Sequence, residues 1–159
     1  MKAVLGMVLA VLALLAATGP AAASSGRDLT AGTGLVESPL GGTFAIHVDA
    51  TSLDGADARG RFFLDFDIPG FGAFKVHGKV TCHQVAGNVA TVGGAFDEPV
   101  FFGPFGPFQG LLISIEDNGE PGSGGDRLSF AETAIAPTDC PIVSALFPIT
   151  QGNFVVHDR

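Results

Sequence analysis

Polar side chains that could bind a ligand are most concentrated between Glu116 and Asp126, where Asp117, Asn118 and Glu120 lie among glycines. Ca²⁺ prefers about six to eight hard oxygen ligands on a loop that can curl, and carboxylates, Asn and backbone carbonyls supply them. The spacing of acids in an EF-hand is absent, and an Asp-Asn-Gly turn also joins two strands of a hairpin. The segment therefore predicts a turn, and the alternative is a calcium site formed by Asp117, Asn118, Glu120 and Asp126.

A second candidate site is the segment 99–110, in which prolines interrupt four phenylalanines. Because proline cannot donate to a central β-ladder, Pro104 and Pro107 predict a loop. Such a loop either folds over the mouth of the fold as a lid or stays exposed as a binding patch for an apolar ligand or another protein. The candidate ligand-binding residues are Phe101, Phe102, Phe105 and Phe108.

The four histidines are the remaining groups that could take part in catalysis. His77 lies on a predicted solvent face, where pairing with an acid of the neighbouring strand explains it. A set of Ser129, His47 and Asp49 has the residue types of a hydrolase triad, but no nucleophile motif accompanies it. The phosphate-binding loop, the dinucleotide fingerprint and the zinc-protease motif are all absent from the sequence. We therefore expect no catalytic residue, no enzyme and no cofactor besides the calcium alternative.

Alternation of apolar and polar residues predicts that β-strands position these groups. In the segment 74–83, alternation places Cys82 on the interior face with three apolar residues and places His83 on the solvent face. Gly78, in the middle of this strand, predicts a bulge or a bend. Further strands are predicted over residues 43–50, 59–67, 89–96, 111–116, 127–132 and 153–157.

These seven or eight short strands, separated by turn residues, predict an all-β fold. The architecture is a single antiparallel up-and-down barrel or a closed sandwich over residues 41–159. Pairing of the last strand with the first would remove the exposed edges of the sheet. Residues 24–40 are small, polar and rich in glycine, and we expect a flexible N-terminal segment with at most a short edge strand at residues 35–36.

The first 23 residues have the pattern of a secretory signal peptide. Lys2 precedes an uncharged apolar run, and Ala21, Ala22 and Ala23 form a small-residue cleavage site. The run is shorter than the roughly 20 apolar residues that cross a bilayer. We therefore expect cleavage after Ala23 and a secreted, extracellular protein without a membrane span.

The cysteines and the charge are consistent with export. Cys82 and Cys140 are the only cysteines, and two thiols in an oxidising compartment usually pair, so we expect a disulfide. The chain carries 16 Asp and Glu against 8 Lys and Arg. Because nucleic acid and anionic lipid both require clustered cations, this charge disfavours nucleic-acid and peripheral membrane partners.

The second half of the chain resembles a group of uncharacterised small secreted bacterial β-rich proteins. The resemblance lies in a Val-x-Cys hairpin that begins at Val80, an Asp-Asn-Gly-x-Pro-Gly turn over residues 117–122 and a closing strand over residues 152–156. It implies a secreted β-domain and carries over no catalytic or binding residue.

Together these features predict a secreted, non-catalytic β-domain that acts as an extracellular binding or surface-associated module. One alternative is a barrel that binds an apolar small ligand through its Phe-rich interior and the segment 99–110. A secreted hydrolase is the remaining, weaker alternative. The partner is accordingly another protein or an apolar small molecule.

Overall fold

The computed structural model describes residues 26–37, 41–70, 72–102, 104–119 and 125–159, so the expected signal peptide lies outside the described residues. Within these ranges no helix has the length and hydrophobicity to cross a membrane. The described chain forms nine β-strands: β1 (Asp28–Glu37), β2 (Thr43–Leu53), β3 (Ala56–Ile68), β4 (Gly72–Ala86), β5 (Val89–Phe102), β6 (Phe105–Glu116), β7 (Arg127–Thr133), β8 (Phe147–Pro148) and β9 (Gln151–His157).

All nine strands belong to one antiparallel sheet in which chain neighbours are also spatial neighbours, except that β9 returns to pair with β1. The strand order is β8-β7-β6-β5-β4-β3-β2-β1-β9. The sheet curls into a half-barrel, which confirms the predicted all-β, up-and-down architecture. The last long strand pairs with the first, from Leu29 opposite His157 to Leu35 opposite Gln151, but this pairing does not remove the sheet edges as expected, because the strand order still ends at β8 and β9.

The strand count is higher than predicted because residues 28–37 form β1. The expectation of a flexible segment over residues 24–40 is wrong for this stretch, which pairs with β2 on one side and β9 on the other. Its glycines serve packing, because Cβ atoms at Gly32 and Gly34 would overlap the ring of Phe154. Glycine here makes room for a buried aromatic ring and does not mark a loose chain.

The concave side of the sheet is filled by side chains from every long strand. The predicted alternation in β2 is confirmed, since its interior residues at 44, 46, 48 and 50 are all buried. The largest fully buried hydrophobic side chains are Phe62, Phe154, Ile46, Leu111, Ile113, Ile115 and Leu128. At roughly 2 kcal/mol for each large apolar side chain, their burial is the main driving force for folding.

Two adjacent glycines in β5 allow close packing on opposite faces of the sheet. Gly94 lies on the interior face, where the ring of Phe62 occupies the space that a Cβ would need. Gly93 lies on the outer face, where the Sγ atoms of Cys82 and Cys140 occupy the corresponding space. Each glycine therefore allows a close approach that any larger residue would prevent.

A segment without regular structure, residues 134–146, crosses the outer face of the sheet, and we call it the strap. The predicted disulfide between Cys82 and Cys140 is present and joins β4 to the strap across 58 residues of sequence. Thr81 Oγ1 donates to the carbonyl of Pro137, and the Val143 amide donates to Thr91 Oγ1 at 3.4 Å. On the loop-entropy model, such a crosslink contributes about 4 kcal/mol by restricting the unfolded chain.

The predicted orientation of the Val80–His83 segment is wrong because a β-bulge interrupts the alternation. Val80 pairs with Gly94 and Cys82 with Gly93, so that Thr81 is an extra residue in β4. An extra residue reverses which face the following side chains occupy. Cys82 therefore faces the strap outside, whereas His83 is 1% exposed and points into the interior.

Substitution of Gly94 by Ala tests the close packing of the interior. The added methyl group would overlap the Phe62 ring, and we expect a loss of about 1–3 kcal/mol in the free energy of unfolding, as for other overpacked cores. Urea denaturation measures this loss. In a Phe62→Leu background the same substitution should cost clearly less, whereas strictly additive costs would contradict the proposed contact.

Candidate functional site

The predicted Phe-rich loop is a two-stranded ribbon that β5 and β6 form where their pairing with the adjacent strands has ended. The pairing of β4 with β5 stops at Phe96, and that of β7 with β6 stops at Gly110. Beyond these positions β5 and β6 pair only with one another, at Val100 with Phe108 and at Phe102 with Phe105. We call residues 97–109 the ribbon.

The prediction of a loop over residues 99–110 is wrong because proline is compatible with turns and with edge strands. Pro104 lies in the turn between β5 and β6, where no ladder hydrogen bond is required. Pro107 lies in β6 beyond the end of its pairing with β7, and among the described residues no outer strand needs its missing N–H.

The phenylalanines of the ribbon differ in exposure. Phe101 is 63% exposed and Phe105 is 62% exposed, so these two rings do not form the expected lid over the interior. Phe108 is half-buried, and the side chain of Phe102 lies outside the described residues. At the base, Val100 packs against the core cluster. The result is an anchored ribbon with aromatic rings exposed at its tip.

A groove separates the ribbon from β4. It has a volume of about 740 Å³ and is lined by residues 74–77 of β4 and residues 97–101 of β5. The groove exists because β5 diverges from β4 beyond Phe96. Its walls carry both signs of charge, with Lys75 on one side and Asp97 and Glu98 on the other.

Two carboxylates of the predicted turn hold the last strand. Asp126 Oδ2 accepts the backbone N–H of Phe154 at 2.7 Å, and Asp117 Oδ2 accepts that of Val156 at 2.9 Å. The second oxygens accept the local amides of Asn118 and Gly119 at 3.0 and 2.9 Å. The two edges of the curled sheet are thus joined by side chains at a place that we call the seam.

This arrangement does not favour the calcium alternative. All four carboxylate oxygens of Asp117 and Asp126 already accept a backbone N–H, which is the role of a structural turn. Asn118 is likewise engaged, since its side-chain amide donates to the carbonyl of Gly125 at 3.2 Å. The fourth candidate ligand, Glu120, lies outside the described residues. In the part of the chain that the structure describes, no group of three or more His, Cys, Asp or Glu side chains is placed to hold a metal ion.

A buried polar network that the sequence analysis did not identify surrounds His83. Its Nε2 lies 2.8 Å from Thr30 Oγ1, and its Nδ1 lies 3.0 Å from Ser52 Oγ. Ser52 in turn donates to Asp28 Oδ2 at 3.5 Å, and Asp28 Oδ1 accepts the backbone N–H of Arg159 at 3.2 Å. The network therefore connects β1, β2, β4 and the C-terminal residue.

The hydrogen bonds of the network are satisfied by neutral His83 protonated on Nδ1. Thr30 then donates to Nε2, Nδ1 donates to Ser52, and Ser52 donates to Asp28. Burial lowers the pKa of His83, and the negative charge of Asp28 opposes this shift in part. The interior therefore favours the uncharged imidazole.

The network has the residue types of a hydrolytic triad but not its order or its access. A triad needs the carboxylate on the histidine, whereas here Ser52 lies between His83 and Asp28. Thr30, Ser52 and His83 are each at most 1% exposed. In the sequence, the position of His83 directly after Cys82 was the only signal for this site. The β-bulge at Thr81 places the His83 side chain on the interior face.

The hydrolase set considered from the sequence is divided between distant strands, since Ser129 lies in β7 and His47 and Asp49 lie in β2, with β3 to β6 between them. His47 and His77 lie on the outer face on either side of Phe63, with ring centroids 5.9 and 5.2 Å from the Phe63 ring. They border a shallow groove of about 550 Å³ together with Lys75 and Asp65, which form an exposed ion pair at 2.8 Å. His77 thus contacts an aromatic ring, and Lys75 takes the cross-strand acid.

Comparisons of this chain with protein-family models, with curated proteins and with solved structures found no match.

Substitution of Asp126 by Ala tests the seam. It would leave the amides of Phe154 and Asn118 without their acceptor, and an unpaired buried amide costs about 1–3 kcal/mol. We expect a loss of at least this size in the free energy of unfolding, whereas Asp97→Asn on the exposed ribbon should change it by less than about 0.5 kcal/mol.

Thermal unfolding in the presence of calcium or of a chelator distinguishes a structural turn at residues 117–126 from a calcium site. Because the oxygens of Asp117 and Asp126 bind amides, we expect the melting temperature to be the same in calcium and in chelator. A melting temperature that rises with calcium concentration would contradict this, since a ligand of the native state must stabilise it.

The pH dependence of stability tests the His83 network. The pKa of His83 is lowered in the folded protein, so the unfolded chain takes up this proton first as the pH falls below about 6.5. The stability that neutral His83 confers is therefore complete above pH 6.5 and decreases below it, by at most about 1.4 kcal/mol per pH unit.

A His83→Gln variant keeps a donor and an acceptor but cannot titrate, and we expect its stability to depend less on pH between 7.5 and 5.5. The matched variant His47→Gln, on the outer face, should retain the dependence of the unsubstituted protein. Identical pH profiles of the His83→Gln variant and the unsubstituted protein would contradict the assignment.

Proposed function

We propose that the protein is an exported, non-catalytic β-domain that acts as an extracellular binding or surface-associated module, and that the ribbon is its binding surface. The observation that carries the proposal is the exposure of Phe101 and Phe105, each above 60%, at the tip of a ribbon that no other strand of the described chain covers. Exposed aromatic residues in a projecting element are typical of interaction sites.

The anchoring of the ribbon supports this role. Val100 and Phe96 pack against the core cluster at its base, and the two strands pair at Val100 with Phe108 and at Phe102 with Phe105. A preformed binding element avoids much of the conformational entropy that a flexible loop loses on binding. The aromatic rings are therefore presented in a defined position.

The alternative of an apolar ligand inside the barrel has less support. The interior is occupied by a continuous cluster of buried side chains that includes Phe62, Phe154 and Leu111. The two grooves described above open to solvent, one beside the ribbon and one on the outer face, and core residues such as Val76 and Leu64 contribute only to their linings. A small apolar ligand would accordingly bind at the ribbon and not in the core.

Two further observations support an exported protein without catalysis. The disulfide between Cys82 and Cys140 is compatible with an oxidising compartment. The Ser52, His83 and Asp28 side chains, which have the residue types of a hydrolase, are buried and in the wrong order for a triad. A hydrolase reading therefore lacks an accessible nucleophile at this network.

Association with cells tests the proposed function. The processed protein is incubated with cells of the organism that encodes it, and bound protein is measured after sedimentation. We expect the Phe101→Ser/Phe105→Ser variant to bind at least about tenfold less, since each ring contributes on the order of 1–2 kcal/mol of apolar burial.

The matched control is Ile135→Ser/Leu146→Ser, which removes two strap residues that are 72% and 61% exposed. It should bind like the unsubstituted protein. Equal loss in both variants, or no dependence on either, would contradict the assignment of the ribbon as the binding surface.

A further inference from the structure

We propose that the ribbon inserts its tip into a lipid interface without net charge, such as the surface of zwitterionic phospholipids. This inference deepens the proposed function and rests on the assignment of the ribbon as the binding surface. It names the class of partner, a zwitterionic lipid surface, that the shape and charge of the ribbon fit best.

The tip of the ribbon exposes an aromatic ring on each of its two faces. Phe105 pairs with Phe102 and Val100 with Phe108, so the extra residue of this irregular register lies in β6 and not at Phe101. Phe101 precedes Phe102 by one residue, and Phe101 and Phe105 therefore project from opposite faces of the ribbon. A Cβ placed on Gly106 would lie 3.2 Å from Cδ1 of Phe101, which puts the Phe101 ring on the side away from Phe105. A flat protein surface can cover only one of these rings, whereas a fluid interface surrounds both.

The charges of the ribbon lie at its base and not at its tip. No charged residue lies between Glu98 and Glu116, so the tip can leave water without desolvating an ion. Asp97 and Glu98 are exposed at the base of the ribbon, where they would reach the level of the lipid headgroups. Anionic headgroups would repel them, and the net charge of the whole chain, -8, acts in the same direction.

The low content of cations disfavoured peripheral membrane binding in the sequence analysis, and that argument applies to electrostatic attraction. Insertion of aromatic side chains into an uncharged interface depends on apolar area and needs no Lys or Arg. The exposed phenylalanines favour an apolar interface, and the negative charges favour one without net charge. A zwitterionic lipid surface has both properties.

The strap is another exposed apolar surface among the described residues, and it fits this role less well. Ile135 and Leu146 are exposed, but the disulfide and the bonds at Thr81 and Thr91 hold the strap flat against the sheet. Asp139 also lies within it, next to the disulfide. The strap therefore serves as the control surface.

Vesicle flotation tests the proposal. The processed protein is mixed with phosphatidylcholine vesicles, and the fraction that floats with them is measured. We expect binding that falls about tenfold for Phe101→Ser and again for the Phe101→Ser/Phe105→Ser variant, while Ile135→Ser/Leu146→Ser binds like the unsubstituted protein. Unchanged urea midpoints of all variants establish that they fold.

The effect of lipid charge on binding is measured in the same flotation assay. Replacing part of the phosphatidylcholine by phosphatidylserine should weaken binding, and Asp97→Asn/Glu98→Gln should reduce that weakening. Absence of flotation, flotation that survives loss of both phenylalanines, or stronger binding to phosphatidylserine would overturn the proposal. If flotation fails while binding to cells still depends on Phe101 and Phe105, the proposed function stands and the partner is a protein or an apolar small molecule that holds both rings.

Discussion

The structure depends on how the last strand is held between the two edges of the curled sheet. On one side β9 pairs with β1, and on the other the amides of Phe154 and Val156 donate to the carboxylates of Asp126 and Asp117. Without these bonds the strand would present unpaired amides on its free side next to the hydrophobic core. The seam therefore keeps the interior closed and lets Phe154 reach full burial.

The closed interior and the strap together determine which surfaces remain for binding. Side chains from all long strands fill the interior, and the strap covers part of the outer face through the Cys82–Cys140 disulfide. The ribbon differs from this body because, among the described residues, β5 and β6 pair there only with one another. Its exposed phenylalanines carry the functional proposal, because the body of the domain stabilises them in place without covering them.

Local sequence patterns predicted the strands from β2 to β7, the disulfide and the pairing of the last strand with the first, since each leaves a signal in spacing or residue type. The bulge at Thr81 could not be predicted, because it depends on the partner strand, and it reversed the faces of Cys82 and His83. The same limit explains β1, whose glycines suggested flexibility until the ring of Phe154 was found against them. The acids at the seam suggested metal binding because their amide partners are distant in sequence.

Hydrogen exchange of individual backbone amides tests the closure of the sheet most directly. The account predicts that the amides of Phe154 and Val156, which lack a strand partner on that side, exchange as slowly as the amides of the core strands. It also predicts that Asp126→Ala accelerates exchange at Phe154 more than at Val156. Rapid exchange of both amides in the unsubstituted protein, at the rate expected for an unstructured chain, would contradict this role of the seam.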